Sequence, residues 1–181
     1  MLTEAEIIEG CKKGKPSCQE ALYRLYGKRM KGICLRYAKT EFEADDIFQD
    51  AFVHVFKNIH TFRDGNFMSW IRRIFVNAAI NNYRKNQKHY NHQDSFELEV
   101  PDDGQPNGFD ELSAQELVAL INELPEGYKL VFNLNVAEGY NHAEIAEMLG
   151  IAEATSRSQL ARAKTMLKKK LEKLNSCKYA S

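Results

Sequence analysis

The sequence predicts an all-α protein of two small helical domains, residues 1–90 and 112–181, joined by a flexible acidic linker at 91–111. Three observations carry this. Apolar residues recur at three- and four-residue steps in both halves, no stretch alternates as a half-buried strand would, and one Pro-, Gly- and acid-rich segment without apolar period separates the halves.

The elements follow in order. Thr3 and Glu6 have capping-box spacing and open the first helix. Ala21, Leu22, Leu25, Tyr26, Met30, Ile33 and Tyr37 form one apolar stripe. Ile47, Phe48, Ala51, Phe52, Val55, Phe56 and Ile59 form a second. The segment FRDGNF, 62–67, breaks the pattern with Asp64-Gly65, a turn signal. A third helix follows, with Trp70, Ile71, Ile74, Phe75 and Ala78 predicted on its buried face. Beyond the linker and its prolines, Pro101 and Pro106, Ser113 and Glu116 repeat the capping-box spacing. Leu117, Leu120, Ile121 and Leu124 make a stripe ended by Pro125. Leu130, Val131 and Leu134, with Phe132 as a further candidate, make another ended by Gly139.

At 181 residues, with 44% hydrophobic and 28% charged residues, the composition is that of a globular protein. No apolar run approaches the roughly 20 residues needed to span a bilayer, and the N-terminus lacks a secretory pattern, so a cytoplasmic chain is expected. Cys11, Cys18, Cys34 and Cys177 show no CxxC spacing and are expected as reduced packing or bystander thiols. The five histidines are scattered; His89 and His92 have no ligand partners at metal spacing, so neither a metal nor a cofactor is expected. Net charge is zero, but its distribution is uneven. Residues 71–90 carry Arg72, Arg73, Arg84, Lys85 and Lys88 and no acid, and residues 153–178 carry eight bases against Glu153 and Glu172. Two basic faces set between acidic stretches point to two nucleic-acid contacts.

Residues 141–171 have helix-turn-helix grammar. Asn141 is an N-cap with Glu144 three residues on. Ile145, Ala146 and Leu149 face the core, Gly150 ends the helix in a left-handed conformation, and Ile151 fills the turn. The second helix buries Leu160, Ala163 and Leu167 and presents Thr155, Arg157, Ser158, Gln159 and Arg162 outward. A helix entering the major groove reads bases with its N-terminal residues while flanking cations hold phosphates.

The two halves together resemble the sigma-70 family, in its extracytoplasmic-function group. The matching strings are EADDIFQDAFVHVFKNIHTFRDGNFMSWIRRIFVNAAINNYRK and LINELPEGYKLVFNLNVAEGYNHAEIAEMLGIAEATSRSQLARAKTMLKKKL. The resemblance implies a sigma factor, not an enzyme. It would bind core RNA polymerase through the largest-subunit coiled coil and the flap and direct initiation at promoter DNA. It implies a polymerase-binding surface at Asp45, Asp46, Gln49 and Asp50. It places minus-ten recognition and melting on Arg63, Asp64, Asn66, Phe67, Arg72, Arg73, Asn77, Asn81, Arg84 and Lys85. Minus-35 recognition falls on Glu153, Thr155, Arg157, Ser158, Gln159, Arg162 and Lys164. An anti-sigma factor is a further implied partner, and polymerase-bound chains would sit at the nucleoid. Melting needs a cationic track, which Arg72, Arg73, Arg84 and Lys85 can supply, and donors and acceptors for base edges, which Asn66, Asn77, Asn81 and Asn82 can supply. Trp70 and Tyr83 are aromatic candidates for base stacking, but Trp70 has core spacing and is assigned there.

Four positions depart from the family pattern. Asn81 stands where Asp is common and Gln159 where Arg is common, and Gln pairs with adenine where Arg prefers guanine. Ser156 replaces an apolar residue and is expected to loosen packing. Ala152 deprives the recognition helix of a capping side chain, at a cost of about 0.5–2 kcal/mol. The competing reading is a helix-turn-helix regulator that binds DNA without polymerase.

Overall fold

The computed structural model describes residues 2–90 and 114–178, with side chains described for 2–86 and 116–174. Every regular element among the described residues is helical. The linker expected at 91–111 and the Ser113 cap lie outside them, as do the side chains of His89, His92 and Cys177. The chain divides into two compact units, Met1–Lys85 and Asn86–Ser181.

The first unit begins with α1 (Glu4–Lys12), whose capping box forms as its spacing predicts: the Thr3 N–H donates to Glu6 Oε2 at 2.7 Å, and the Glu6 N–H donates to Thr3 Oγ1 at 3.3 Å. Pro16 opens α2 (Pro16–Tyr37) at its first position, where a missing N–H costs nothing. The buried stripe of α2 is Cys18, Leu22, Tyr26, Met30, Ile33, Cys34 and Tyr37. Leu25, expected in that stripe, is instead 51% exposed, because it sits about a quarter of a turn off the line from Leu22 to Tyr26. The Tyr26 hydroxyl donates to Glu4 and so ties α2 to α1; burial first, and that carboxylate second, raise its pKa. Burial also pushes the Cys34 thiol up to about 12 and the Cys11 thiol up to about 11, as expected of packing rather than reactive cysteines.

Thr40 caps α3 (Glu41–Asn58) by accepting from the Glu43 N–H at 3.1 Å. A short 3-10 turn, Ile59–Thr61, then leads through the FRDGNF loop into α4 (Phe67–Tyr90). The rings of Tyr23, Phe48, Phe52 and Phe75 interlock at centroid separations of 4.9–5.8 Å, joining α2, α3 and α4. Edge-to-face and tilted pairs of this kind add to simple burial. The buried face of α4 is Ile71, Phe75, Val76, Ala79 and Ile80, wider than the predicted one; Trp70, Ile74 and Ala78 are half-buried at its margins.

In the second unit α5 (Ala114–Asn122), α6 (Glu126–Phe132) and α7 (His142–Leu149) pack on the long α8 (Glu153–Lys178). Leu120, Ile121 and Leu124 meet Ala163, Leu167 and Leu171 in one apolar cluster, with Leu117 and Phe132 partly buried against it. After α6 the chain continues as a π-helical turn, Asn133–Ala137, which the sequence reading did not contain. Phe75 is fully buried where the aromatic lattice converges. Phe75→Ala is expected to destabilise the first unit by about 3–5 kcal/mol in urea unfolding and to leave the melting of the second unit unchanged.

Candidate nucleic-acid interface

The FRDGNF loop is held from below by rings. Phe62 lies 5.0 Å from Phe67 and 5.6 Å from Trp70, Phe67 stacks on Trp70 at 5.3 Å, and Tyr26 sits 5.4 Å from Phe67. These contacts correct one expectation: Phe67 is only 4% exposed and holds the loop in place, so its faces are taken by other rings. Trp70 is half-buried in the same cluster, in keeping with its core spacing. Arg63, Asp64 and Asn66 stay exposed on the loop above it. Asn66 also has a structural duty, since its Oδ1 accepts from the Ser69 N–H at 3.0 Å and starts α4. The loop, α1 and α2 bound a cleft of about 560 Å³ whose walls carry Lys12, Arg29 and Arg63 together with Glu4, Glu9 and Asp64, Lys12 being ion-paired with Glu9 at 2.7 Å.

The burial of Ile71, Phe75, Val76, Ala79 and Ile80 turns the remaining side of α4 outward. Arg73, Asn77, Asn81 and Lys85 are exposed at four-residue steps, with the exposed Arg84 three residues after Asn81. Arg72 is half-buried and lies off this row, one turn before the buried Val76. Asn82, expected among the base-edge carboxamides, instead turns inward, donating from Nδ2 to Glu43 Oε1 at 2.6 Å, and so fastens α4 to the start of α3.

On α3, Asp46, Gln49 and Asp50 are exposed opposite the buried Ile47, Phe48, Ala51 and Phe52. Asp45 is exposed too, but its carboxylate is in an ion pair with Lys31 on α2. Two apolar residues share this surface and were not predicted: Phe42, 76% exposed, and Val53, 50% exposed. Their signal was present in the sequence as three- and four-residue steps from Asp45, Asp46, Gln49 and Asp50, the spacing of a shared helix face. Asp50 and His54 from α3 and Asn81, Arg84 and Lys85 from α4 line one groove of about 280 Å³.

In the second unit the helix-turn-helix forms as its spacing predicts. The Glu144 N–H donates to Asn141 Oδ1 at 2.9 Å, and the Asn141 N–H donates to Glu144 Oε2 at 2.8 Å. Gly150 takes φ 68°, a left-handed conformation open to glycine, and the Ile151 N–H closes the turn on the Ala146 carbonyl. Ser156, expected to loosen the packing, is instead fully buried; its hydroxyl is hydrogen-bonded to His142 Nδ1 at 2.9 Å, which satisfies the polar atom and pins α7 to α8. Lys129 is also buried, within 3.2 Å of Glu126.

The exposed side of α8 presents Glu153, Arg157, Ser158 and Lys164, with Thr155 half-buried. Arg157 pairs with Glu153 one turn back, and the Ser158 hydroxyl donates to the Thr155 carbonyl at 3.0 Å. Arg162 is half-buried and donates from Nη1 to the Tyr128 hydroxyl at 3.4 Å. Gln159, expected to point outward, is half-buried against α6, and its Oε1 is buried with no hydrogen-bond partner, a state that costs about 1–3 kcal/mol.

Comparison with known proteins agrees with this architecture. Residues 22–89 match the family described as Sigma-70 region 2, and residues 114–167 match Sigma-70, region 4. The ECF RNA polymerase sigma-E factor of Haemophilus influenzae is 26% identical, over 96% of this chain and 97% of that one. The ECF RNA polymerase sigma factor SigM of Mycobacterium tuberculosis is 28% identical, over 96% of this chain and 87% of that one. Among solved structures, the fold is similar to that of the sigma factor RpoE of Bartonella quintana, in complex with the anti-sigma factor NepR. That match has a TM-score of 0.53 at 20% identity over 84% of this chain and 96% of that one. CnrH, in complex with the cytosolic domain of CnrY, aligns with a TM-score of 0.50 at 19% identity over 92% of this chain and 95% of that one. The chain belongs to the sigma-70 family, in its extracytoplasmic-function group, and is an RNA-polymerase-binding transcription initiation factor.

The lysines near the end of α8 differ in their surroundings. Lys170 is in an ion pair with Glu123 beyond α5, whereas Lys168 and Lys169 are exposed. Lys170→Ala is expected to lower the stability of the second unit by up to about 1 kcal/mol, and Lys168→Ala to leave it unchanged, both read by thermal unfolding at low salt.

Proposed function

We propose that this chain docks on core RNA polymerase with the exposed face of α3, reads the minus-35 element with α8, and reads and opens the minus-ten element with α4 and the FRDGNF loop. The observation that carries the reading is the exposed row Arg73, Asn77, Asn81, Arg84 and Lys85, opposite the buried face of the same helix. Lys and Arg along such a row follow the phosphates of an unpaired strand, and the carboxamides offer both donor and acceptor to displaced bases. Arg63, Asp64 and Asn66 extend the row onto the loop, and Arg72, half-buried, adds a cation near the loop end of α4 from beside the row's opposite face. Phe67 serves by holding that loop in position.

On α8, Arg157, Ser158 and Arg162 are the base readers, with Glu153 orienting Arg157 and Lys164 on phosphate. Thr155 supports the first turn, and Lys168 and Lys169 meet only backbone. On α3, Asp46, Gln49 and Asp50 supply polar complementarity, with Asp45 steadied by Lys31; Phe42 and Val53 add the apolar contact that gives an interface its affinity. The solved relatives in complex with anti-sigma factors support a similar inhibitor for this chain. Working with polymerase, it acts in the cytoplasm, at the nucleoid once bound.

Run-off transcription with purified core enzyme tests the reading as a whole: promoter-specific transcripts are expected only when the chain is added, and failure to bind core enzyme would leave a DNA-binding regulator instead. Charge reversal at Asp46 and Asp50 is expected to weaken core binding while both units stay folded, and to do so less as salt screens the wild-type attraction. Unchanged affinity in the double variant would move the docking surface elsewhere. Asn77→Ala is expected to reduce permanganate reactivity of the minus-ten element while leaving the closed-complex footprint intact; normal opening in that variant would separate Asn77 from the strand.

A further inference from the structure

Gln159 lies in the second turn of α8, between Arg157, Ser158 and Arg162, yet its side chain folds back onto the first turn of α6. It meets Gly127 there. A Cβ built on Gly127 would stand 3.1 Å from Gln159 Nε2 and 3.5 Å from both Cδ and Oε1, tighter than ordinary van der Waals contact at the nitrogen. The bay that receives the carboxamide therefore borders the space that a side chain at 127 would enter. The bay holds the amide poorly, because Oε1 is buried in it without a hydrogen-bond partner. A buried acceptor in this state gains a partner by leaving. Arg157 and Ser158, by contrast, are already exposed.

We propose that Gly127 is a specificity-determining residue of minus-35 recognition: its missing side chain creates the bay in which Gln159 is retracted, and Gln159 reaches a base only by rotating out of it. This rests on the reading of α8 as the minus-35 helix. The retracted and extended rotamers are two states of one side chain, and the population of the extended state scales what Gln159 contributes to binding. Extended, the carboxamide can pair with adenine through its donor and acceptor together; retracted, it contributes nothing at that base pair. A methyl group at 127 crowds the retracted state, because at 3.1 Å the carboxamide must give by a few tenths of an ångström, and so it shifts the balance toward the extended one. It clashes with the free end of a flexible side chain rather than with backbone, so Gln159 yields and α6 stays in place, and alanine is a better helix former than glycine. Gly127 thus tunes recognition from a position facing α8 rather than through a base contact of its own.

The test compares polymerase reconstituted with the wild-type chain, G127A, Q159A and the double variant. Closed-complex affinity is measured on promoter fragments in which each minus-35 base pair is varied in turn. G127A is expected to bind the preferred sequence roughly three- to ten-fold more tightly and to sharpen the preference at one base pair only. Q159A is expected to flatten that base pair, and the double variant to match Q159A. In the free wild-type protein, a nuclear Overhauser contact between the Gln159 side-chain amide and the Gly127 Hα protons is expected; it requires no substitution and is independent of how the variants fold. The proposal is overturned if that contact is absent, if G127A leaves every minus-35 preference as in wild type, or if its effect persists without Gln159. A wild-type holoenzyme with no minus-35 preference at all would overturn the assignment of α8 itself.

Discussion

The first unit depends on one constraint, the burial of a single face of α4 against the rings of α2 and α3. Phe75 sits between Phe48 and Phe52, and Ile71 is fully buried on the same side. A 24-residue helix has few ways to satisfy that contact. Once its apolar face is fixed, the direction of every polar side chain on the opposite face is fixed with it. The row of Arg, Asn and Lys on α4 is therefore a result of core packing. The Asn66 cap sets where the helix starts, the Asn82–Glu43 bond sets its register on α3, and the Phe62–Phe67–Trp70 stack joins the loop to the same frame.

The second unit reaches a similar result with polar groups inside. The C-terminal half of α8 is anchored apolarly, through Leu167 and Leu171 on α5. Its N-terminal half is positioned by Ser156 on His142 and by Arg162 on Tyr128. Apolar packing tolerates small slips between surfaces, whereas a hydrogen bond at 2.9 Å does not. Placing directional bonds at the end of the helix that carries Arg157 and Ser158 fixes the angle at which those side chains stand. This also accounts for how Ser156 is accommodated where an apolar residue is usual: its hydroxyl is a second clasp between α7 and α8.

Helix order, both helix-turn-helix caps and most buried positions were legible in the sequence because they follow from local rules, spacing and capping, that need no knowledge of neighbours. Thr3 with Glu6, Asn141 with Glu144, and Gly150 were each read from a few adjacent residues. The misreadings share the opposite property. Phe67 was read as a base contact because an aromatic residue in a basic loop can stack on bases; only the arrival of Tyr26 from α2 shows that its faces are occupied. Lys129 would be exposed on most helices, and its burial requires Glu126 and α8 together. Gln159 occupies an outward position by helical periodicity but has a gap to fall into on another helix, 32 positions back in the chain at Gly127. Leu25 shows the same limit from the other side, an apolar residue that no partner covers.

The zero net charge has a physical consequence for a protein of this family. Beyond a Debye length of about 8–10 Å the acidic face of α3 and the basic row of α4 largely cancel, so the chain as a whole exerts little long-range pull on a polyanion. Attraction to a polyanion is confined to contact range, where the exposed cations Arg73, Arg84 and Lys85 stand. The two charge excesses also meet: Asp50 lines the same groove as Arg84 and Lys85. An acid at that point lowers the local positive potential for as long as it is uncovered. Such a pattern favours binding of a polyanion when Asp50 is covered over binding by the uncovered chain, an ordering that follows from the placement of the charges alone.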